Sequence, residues 1–212
     1  MGDACIAHTS PTLSMNTLLR SFLHAAAFTI LLATSCSSPS PSVAPLLDAT
    51  CTLADGSTAS LKSMLGTTAT VFITLDPECP FCQLYAHDFQ EFAAHYAEQG
   101  VRLVGVYAGP YMEADKAAQF AKDGNFTFPQ VMDHDCTLTL ALEARVTPEV
   151  FLMDAKGELV YNGAFDDRAV RQGRKKYDAQ KHYLADAMKA FLRDGAHSPE
   201  VTAVGCIVEC KK

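Results

Sequence analysis

Residues 71–75, VFITL, are an unbroken apolar and β-branched run, and a few residues later the chain reads CPFC at 79–82. A run of that kind reads as a buried central strand. Beyond it, Tyr85, Phe89, Phe92, Ala93 and Tyr96 recur at helical spacing and mark one face of an amphipathic helix, with Gly100 placed to end it. The cysteine pair therefore sits where a buried strand turns into a helix, and this restricts what it can do. A helix N-terminus offers unsatisfied N–H groups and the positive end of the macrodipole, both of which favour a thiolate on Cys79. Pro80 suits the first turn because it has no N–H to leave unpaired. Cys82, one turn on, is close enough to attack a mixed disulfide formed on Cys79. Cys79 is thus the candidate nucleophile and Cys82 the candidate resolving thiol. A zinc ribbon would need a second C-x-x-C or a histidine pair, whereas Cys136 stands alone and Cys206 and Cys210 are four apart.

The remaining pattern alternates. Residues 101–107 read as a strand, 113–122 as a helix, 130–132 as a short extended piece and 138–145 as a helix. Residues 149–154 read as a strand, 155–157 as a turn and 158–161 as the returning strand of a hairpin. The last helix is expected over 178–193, with Tyr183, Leu184, Met188, Phe191 and Leu192 on one face. Strand–helix alternation closed by a hairpin and a helix predicts a layered α/β domain with a mixed sheet. With 212 residues, 49% hydrophobic and 19% charged, the chain can bury a core and is neither a disordered acidic chain nor a membrane bundle. Its net charge of −7 argues against nucleic acid as a partner.

Residues 1–35 read as a signal peptide, for which Met15 makes a better start than Met1. The apolar stretch from Phe22 to Ala33 has the length of a signal h-region and is short for a bilayer span. Cys36 follows small residues and resembles the lipidated cysteine of a bacterial lipobox. Residues 36–45, rich in Ser and Pro, read as a tether, which places the folded domain at 46–195 and a tail at 196–212. The expected location is outside the cytoplasm, anchored by lipid to a bacterial membrane and facing the periplasm, where cysteines can work as disulfides.

A strand, C-P-x-C and a long helix, followed by Thr147-Pro148 opening a strand–hairpin–helix, resemble the thioredoxin-like fold over residues 46–193. The T-P-x-x-F-L-x-D-x-x-G pattern of that fold is matched from Thr147 to Gly157. The resemblance implies a three-layer α/β/α sandwich with a mixed central sheet, and a cis-proline, Pro148, facing the cysteines and shaping the substrate groove. More narrowly, Gly56-Ser57, Ser60-Leu61, Gly66 and the 160–168 segment resemble exported bacterial redoxins of the AhpC/TSA-like type. The chain departs from thioredoxin in having Glu78 before the first cysteine, no Trp, and Ile73 where a buried aspartate would stand. Glu78 and Glu149 are then the candidate proton acceptors for Cys82, and the Glu78 charge would oppose the Cys79 thiolate. A peroxiredoxin loop is missing: Asp76 stands in its Thr/Ser position.

Cys51 and Cys136 read as small buried hydrophobes or as partners in a structural bridge. Cys206 and Cys210 are a candidate second redox pair relaying electrons to Cys79 and Cys82, or a soft-metal site. Asp167 is a candidate to line the site, with a turn and helix cap as its plain alternative. Asp133, His134 and Asp135 read as a polar turn, and RQGRKK at 171–176 as a solvated loop. The expected activity is thiol–disulfide exchange with protein partners and an upstream redox partner, with no soluble cofactor and no metal. The alternatives are a copper-binding chaperone using Cys and His ligands, and a peroxiredoxin-like peroxidase.

Overall fold

The computed structural model describes residues 41–210. The signal-peptide and lipidation expectations, at 1–35 and Cys36, lie outside the described residues. A seven-stranded mixed sheet forms the centre. Its strands are β1 (Thr50–Leu53), β2 (Thr58–Ser60), β3 (Ala69–Leu75), β4 (Val101–Ala108), β5 (Gln130–Asp133), β7 (Val150–Asp154) and β8 (Leu159–Gly163). They run in the order β2-β1-β5-β4-β3-β7-β8. β3 is parallel to β4 and antiparallel to β7, and β7 turns back into β8.

Every residue of β3 is buried, which explains its unalternating sequence: both faces of the sheet are covered. Val71, Ile73 and Leu75 point into one layer, with α2 (Pro80–Tyr96) and α5 (Tyr183–Asp194). Phe72 points into the other, with α1 (Leu61–Met64) and α4 (Thr137–Ala141). The helix α3 (Ala114–Asp123) joins the first layer through Ala117 and Phe120. This is the expected three-layer α/β/α sandwich. The apolar face read for α2 is the buried one: Tyr85, Phe89, Phe92, Ala93 and Tyr96 all lie in the core. Gly100, at φ 74°, closes the turn that follows the helix.

Several boundaries move. The domain starts before residue 46, because Val43 is fully buried and donates its N–H to Gly157 O, while Ser42 bridges to Glu158. The end of the expected tether is thus part of the fold. The helix expected over 138–145 stops at Ala141, and Glu143 takes a left-handed φ of 55°. The last helix begins at Tyr183 rather than near 178, because Asp167 accepts the N–H groups of Gln180 and Lys181 and holds that stretch as a loop. The basic run 171–176 is an exposed hairpin of β9 (Ala169–Arg171) and β10 (Arg174–Lys175).

The tail departs furthest from expectation. It runs over Val160, Asn162 and Ala164 by backbone hydrogen bonds. It then forms β11 (Cys206–Ile207), antiparallel to β6 (Val146–Thr147). A disulfide joins Cys136 to Cys210. Cys206 and Cys210 are therefore not a redox pair with one another, and Cys51 does not bridge to Cys136: Cys51 and Cys206 are free thiols. Among the described residues, no helix is long and apolar enough to cross a membrane.

Candidate active site

β3 ends at Leu75, and the turn Asp76–Glu78 delivers Cys79 to the N-cap of α2. Pro80 opens the helix, as its missing N–H allows. Cys79 N–H donates to Asp76 O at 3.1 Å, which closes the turn. The Asp76 N–H donates to Cys82 Sγ at 3.4 Å. Both cysteines are buried, Cys79 at 1% exposure and Cys82 at 0%. From the other side of the site, β6 presents Thr147, whose carbonyl oxygen lies 3.0 Å from Cys79 Sγ and accepts from it only while Cys79 is un-ionised. The Thr147–Pro148 bond is cis. The structure thus brings Cys79, Cys82, Thr147 and Pro148 together.

The electrostatics separate the two thiols. The Cys79 pKa falls from the ordinary 9.0 to about 4. The largest cause is the Cys82 thiol donating to its sulfur; the Cys206 thiol and the backbone N–H groups of Cys82 and Cys206 add to this, and burial opposes it. The Cys82 N–H is one of the unpaired donors that every helix start offers. Cys82 moves the other way: burial first, then the neighbouring Cys79 thiolate, push its pKa well above the ordinary value. One sulfur is held as a thiolate and the next as a thiol.

Three of the expected supporting acids act elsewhere. Glu78 is exposed and pairs with Lys116 Nζ at 2.9 Å, so its charge is compensated rather than set against the thiolate. Glu149 is buried, but its carboxylate accepts from Arg145 N at 2.8 Å, Arg145 Nη2 at 2.9 Å and Val146 N at 3.4 Å. It braces the turn that carries Thr147. Asp167 pairs with Lys176 and accepts the N–H groups of Gln180 and Lys181, so it orders the 176–181 loop instead of lining the cysteine site. Its neighbour Asp166 is buried and takes Tyr85 Oη at 2.6 Å and Arg168 Nε at 2.7 Å, locking the 164–169 segment onto α2.

The acid beside the thiols is Asp76. Its pKa is raised, by burial first, and its charge bears on both Cys79 and Cys82. In the sequence Asp76 stood out only as a departure from a peroxiredoxin loop; its place at the end of the central strand, just before the cysteines, was the signal for a site role. A groove of about 610 Å³ opens here, lined by Asp76, Glu78, Lys116, Thr147, Cys206 and Glu209 among others. Tyr111, 75% exposed, and Ile207, 82% exposed, are apolar groups on its walls. Among the described residues, no group of three or more His, Cys, Asp or Glu is arranged to hold a metal ion.

The AhpC/TSA family model matches residues 43–162. The chain belongs to the AhpC/TSA family. That match starts at Val43, the first core residue, and covers β1 through most of β8. A hypothetical protein from Sinorhizobium meliloti has a solved structure similar to this AhpC/TSA chain, with a TM-score of 0.69 and 27% identity over 78% of this chain and 92% of that one. A secreted Mycobacterium tuberculosis disulfide oxidoreductase matches at TM-score 0.52 and 20% identity, over 69% of this chain and 98% of its own. Peroxiredoxin Q from Xanthomonas campestris matches at TM-score 0.52 and 20% identity, over 73% of this chain and 95% of its own. The last two likenesses establish a shared thioredoxin-like fold. No curated protein matches the chain.

Proposed function

We propose that this redoxin is a thiol–disulfide oxidoreductase acting on protein disulfides, exported and held at a bacterial membrane through a lipid on Cys36. The observation that carries the reaction is the placement of two buried cysteines one turn apart at the start of α2, Cys79 at its N-cap beside Thr147 O and Cys82 behind it. The donors around Cys79 favour its thiolate, and burial keeps Cys82 a thiol. The Cys79 thiolate attacks one sulfur of a partner's disulfide, forming a mixed disulfide and releasing the partner's other sulfur as a thiolate. Cys82 then loses its proton and attacks Cys79 Sγ. The mixed disulfide breaks, a Cys79–Cys82 disulfide forms, and the partner leaves with two reduced sulfurs. Asp76, with its raised pKa, is placed to take the Cys82 proton. An upstream dithiol returns two electrons, and no soluble cofactor is needed.

Fold neighbours include both a disulfide oxidoreductase and a peroxiredoxin, so the site must choose between the chemistries. A peroxidatic cysteine needs donors to polarise the peroxide. Here the corresponding side chain is the Asp76 carboxyl, while the resolving thiol is already one turn away. The test is the reduction potential of the Cys79/Cys82 couple in metal-free protein, together with insulin-disulfide reduction. A reversible two-electron couple, with turnover lost in Cys79→Ser, is expected. A potential at or below about −230 mV would make the chain a reductase, and one near about −120 mV an oxidant. No couple, with stoichiometric Cu(I) bound and lost on Cys79→Ser, would turn the assignment to a copper chaperone. Rapid hydrogen peroxide turnover would turn it to a peroxidase.

A further inference from the structure

Three cysteines come together at this site, and only two belong to the C-x-x-C motif. The third is Cys206, which stands opposite Thr147 in the β11–β6 pairing and packs against the buried cluster that holds Cys79 and Cys82. β11 pairs antiparallel with β6, with Cys206 opposite Thr147 and Ile207 opposite Val146. Thr147 is the residue whose carbonyl oxygen lies 3.0 Å from Cys79 Sγ. An extended segment added to that edge, with a cysteine facing Cys79, is what a disulfide-bearing partner would have to present. The chain's own tail already presents it.

The seat is specified by sequence. A Cβ on Gly205 would stand 2.2 Å from Thr147 O, and one on Gly163 would stand 1.8 Å from Val201 O. Only glycine lets the tail lie this close. Gln172 Nε2 donates to Gly205 O at 2.6 Å on one side of Cys206, and Val208 N donates to Arg145 O at 3.0 Å on the other. Beyond these, Cys210 is bonded to Cys136. The tail is clamped on both sides of its free thiol.

We propose that Cys206 is a tethered substrate thiol of Cys79, and that in the oxidised chain the Cys79–Cys82 disulfide exchanges with a Cys79–Cys206 disulfide. The proposal rests on the thiol-exchange reading of Cys79 and Cys82. Cys206 loses its proton and attacks Cys79 Sγ. The Cys79–Cys206 bond forms, the Cys79–Cys82 bond breaks, and Cys82 leaves as a thiolate that takes up the proton. No electrons enter or leave, because the oxidising equivalent arrived with the partner's disulfide. Cys82 reverses the step by attacking Cys79. The exchange moves the disulfide outward: Cys206 is half-buried and lines the groove, while Cys79 is 1% exposed. A reducing dithiol entering the groove meets the Cys206 sulfur first. The step is also timed by charge. In the reduced chain, burial and then the Cys79 thiolate raise the Cys206 pKa to about 12. Once Cys79 is in a disulfide that thiolate is gone, and Cys206 ionises more readily.

The test is disulfide mapping by mass spectrometry of the full protein without reduction. Reduced Cys82→Ser protein is oxidised with glutathione disulfide and quenched with an alkylating agent. The expected product is a Cys79–Cys206 cross-link displacing a Cys79–glutathione adduct, with the Cys136–Cys210 cross-link intact as the sign of a native fold. A persistent glutathione adduct on Cys79, with Cys206 alkylated, overturns the proposal. Wild-type protein treated in parallel separates the two claims. If it forms Cys79–Cys82 while the variant forms no Cys79–Cys206, the tether alone fails; if it forms neither bond, the exchange reading fails too. Should the variant lack its Cys136–Cys210 bridge, oxidised wild-type protein decides, and the absence of any Cys79–Cys206 peptide overturns the proposal.

Discussion

At Cys79 the thiolate is favoured by hydrogen-bond donors, not by a basic side chain. Its folded-state pKa of about 4 lies below the ordinary 9.0. A depressed pKa means that ionisation stabilises the folded, reduced chain; that contribution is complete above about pH 9 and is lost as pH falls through about 4. Ultraviolet thiolate absorbance of the reduced protein should therefore titrate with a midpoint near pH 4. In Cys82→Ala, which removes the largest cause, the midpoint should move upward. An unmoved midpoint would mean that Cys206 and the backbone donors hold the charge without Cys82. Asp76 makes a separate prediction. Its carboxyl is the one that bears on Cys82, so Asp76→Asn should slow resolution by about 10²-fold while leaving the first attack intact. Quenched-flow trapping would show the mixed disulfide accumulating in the variant. Equal decay in variant and wild type would leave the Cys82 proton to solvent.

At the scale of elements, α2 carries both the site and a large part of one core layer. Phe89 is fully buried there and packs edge-on against Phe165 at 5.2 Å between ring centroids. Phe89→Ala should cost about 3–5 kcal/mol, read as a lower urea midpoint with an unchanged m-value. Phe165 lies beside the segment that Asp166 fixes to Tyr85, so the cavity would open next to a buried polar network rather than collapse. Elements with strong local periodicity were legible in the sequence. The VFITL strand, the face from Tyr85 to Tyr96 and the hairpin after Pro148 each carry enough repeating residues to declare themselves. β11 could not be read in this way. It has two residues, its partner β6 has two, and their pairing joins positions far apart in the chain. The roles of Glu149 and Asp167 are not legible in the sequence for a related reason. Each acid was near the motif in sequence, yet its charge is satisfied by a partner that only the folded backbone supplies. Cysteine connectivity was closed to sequence on combinatorial grounds.

For the molecule as a whole, the Cys136–Cys210 disulfide links the layer beneath the sheet to the strand that covers the active site. It closes a loop with a sequence separation of 74 residues. In the chain-entropy account a loop of that size stabilises the fold by about 4 kcal/mol, within a usual range of about 2–5. Cys210→Ser should lower stability by that order. The more telling effect is local. With the bridge gone, β11 is held by its two-residue pairing with β6 and a few backbone hydrogen bonds, so it should open without global unfolding. Cys79 is 1% exposed, and its sulfur lies 3.0 Å from the carbonyl of Thr147, the residue that β11 pairs with. Every 1.4 kcal/mol taken from the tail's local stability should raise the exposure-limited alkylation rate of Cys79 about tenfold. Cys51, half-buried beside Asp133 and Asp135 on the far part of the sheet, is an internal control whose rate should barely change. If Cys79 alkylates no faster in Cys210→Ser than in wild type, at pH values where it is ionised in both, then the tail does not gate the site. If Cys51 accelerates in step with Cys79, the bridge supports the whole domain rather than the strand over the thiols.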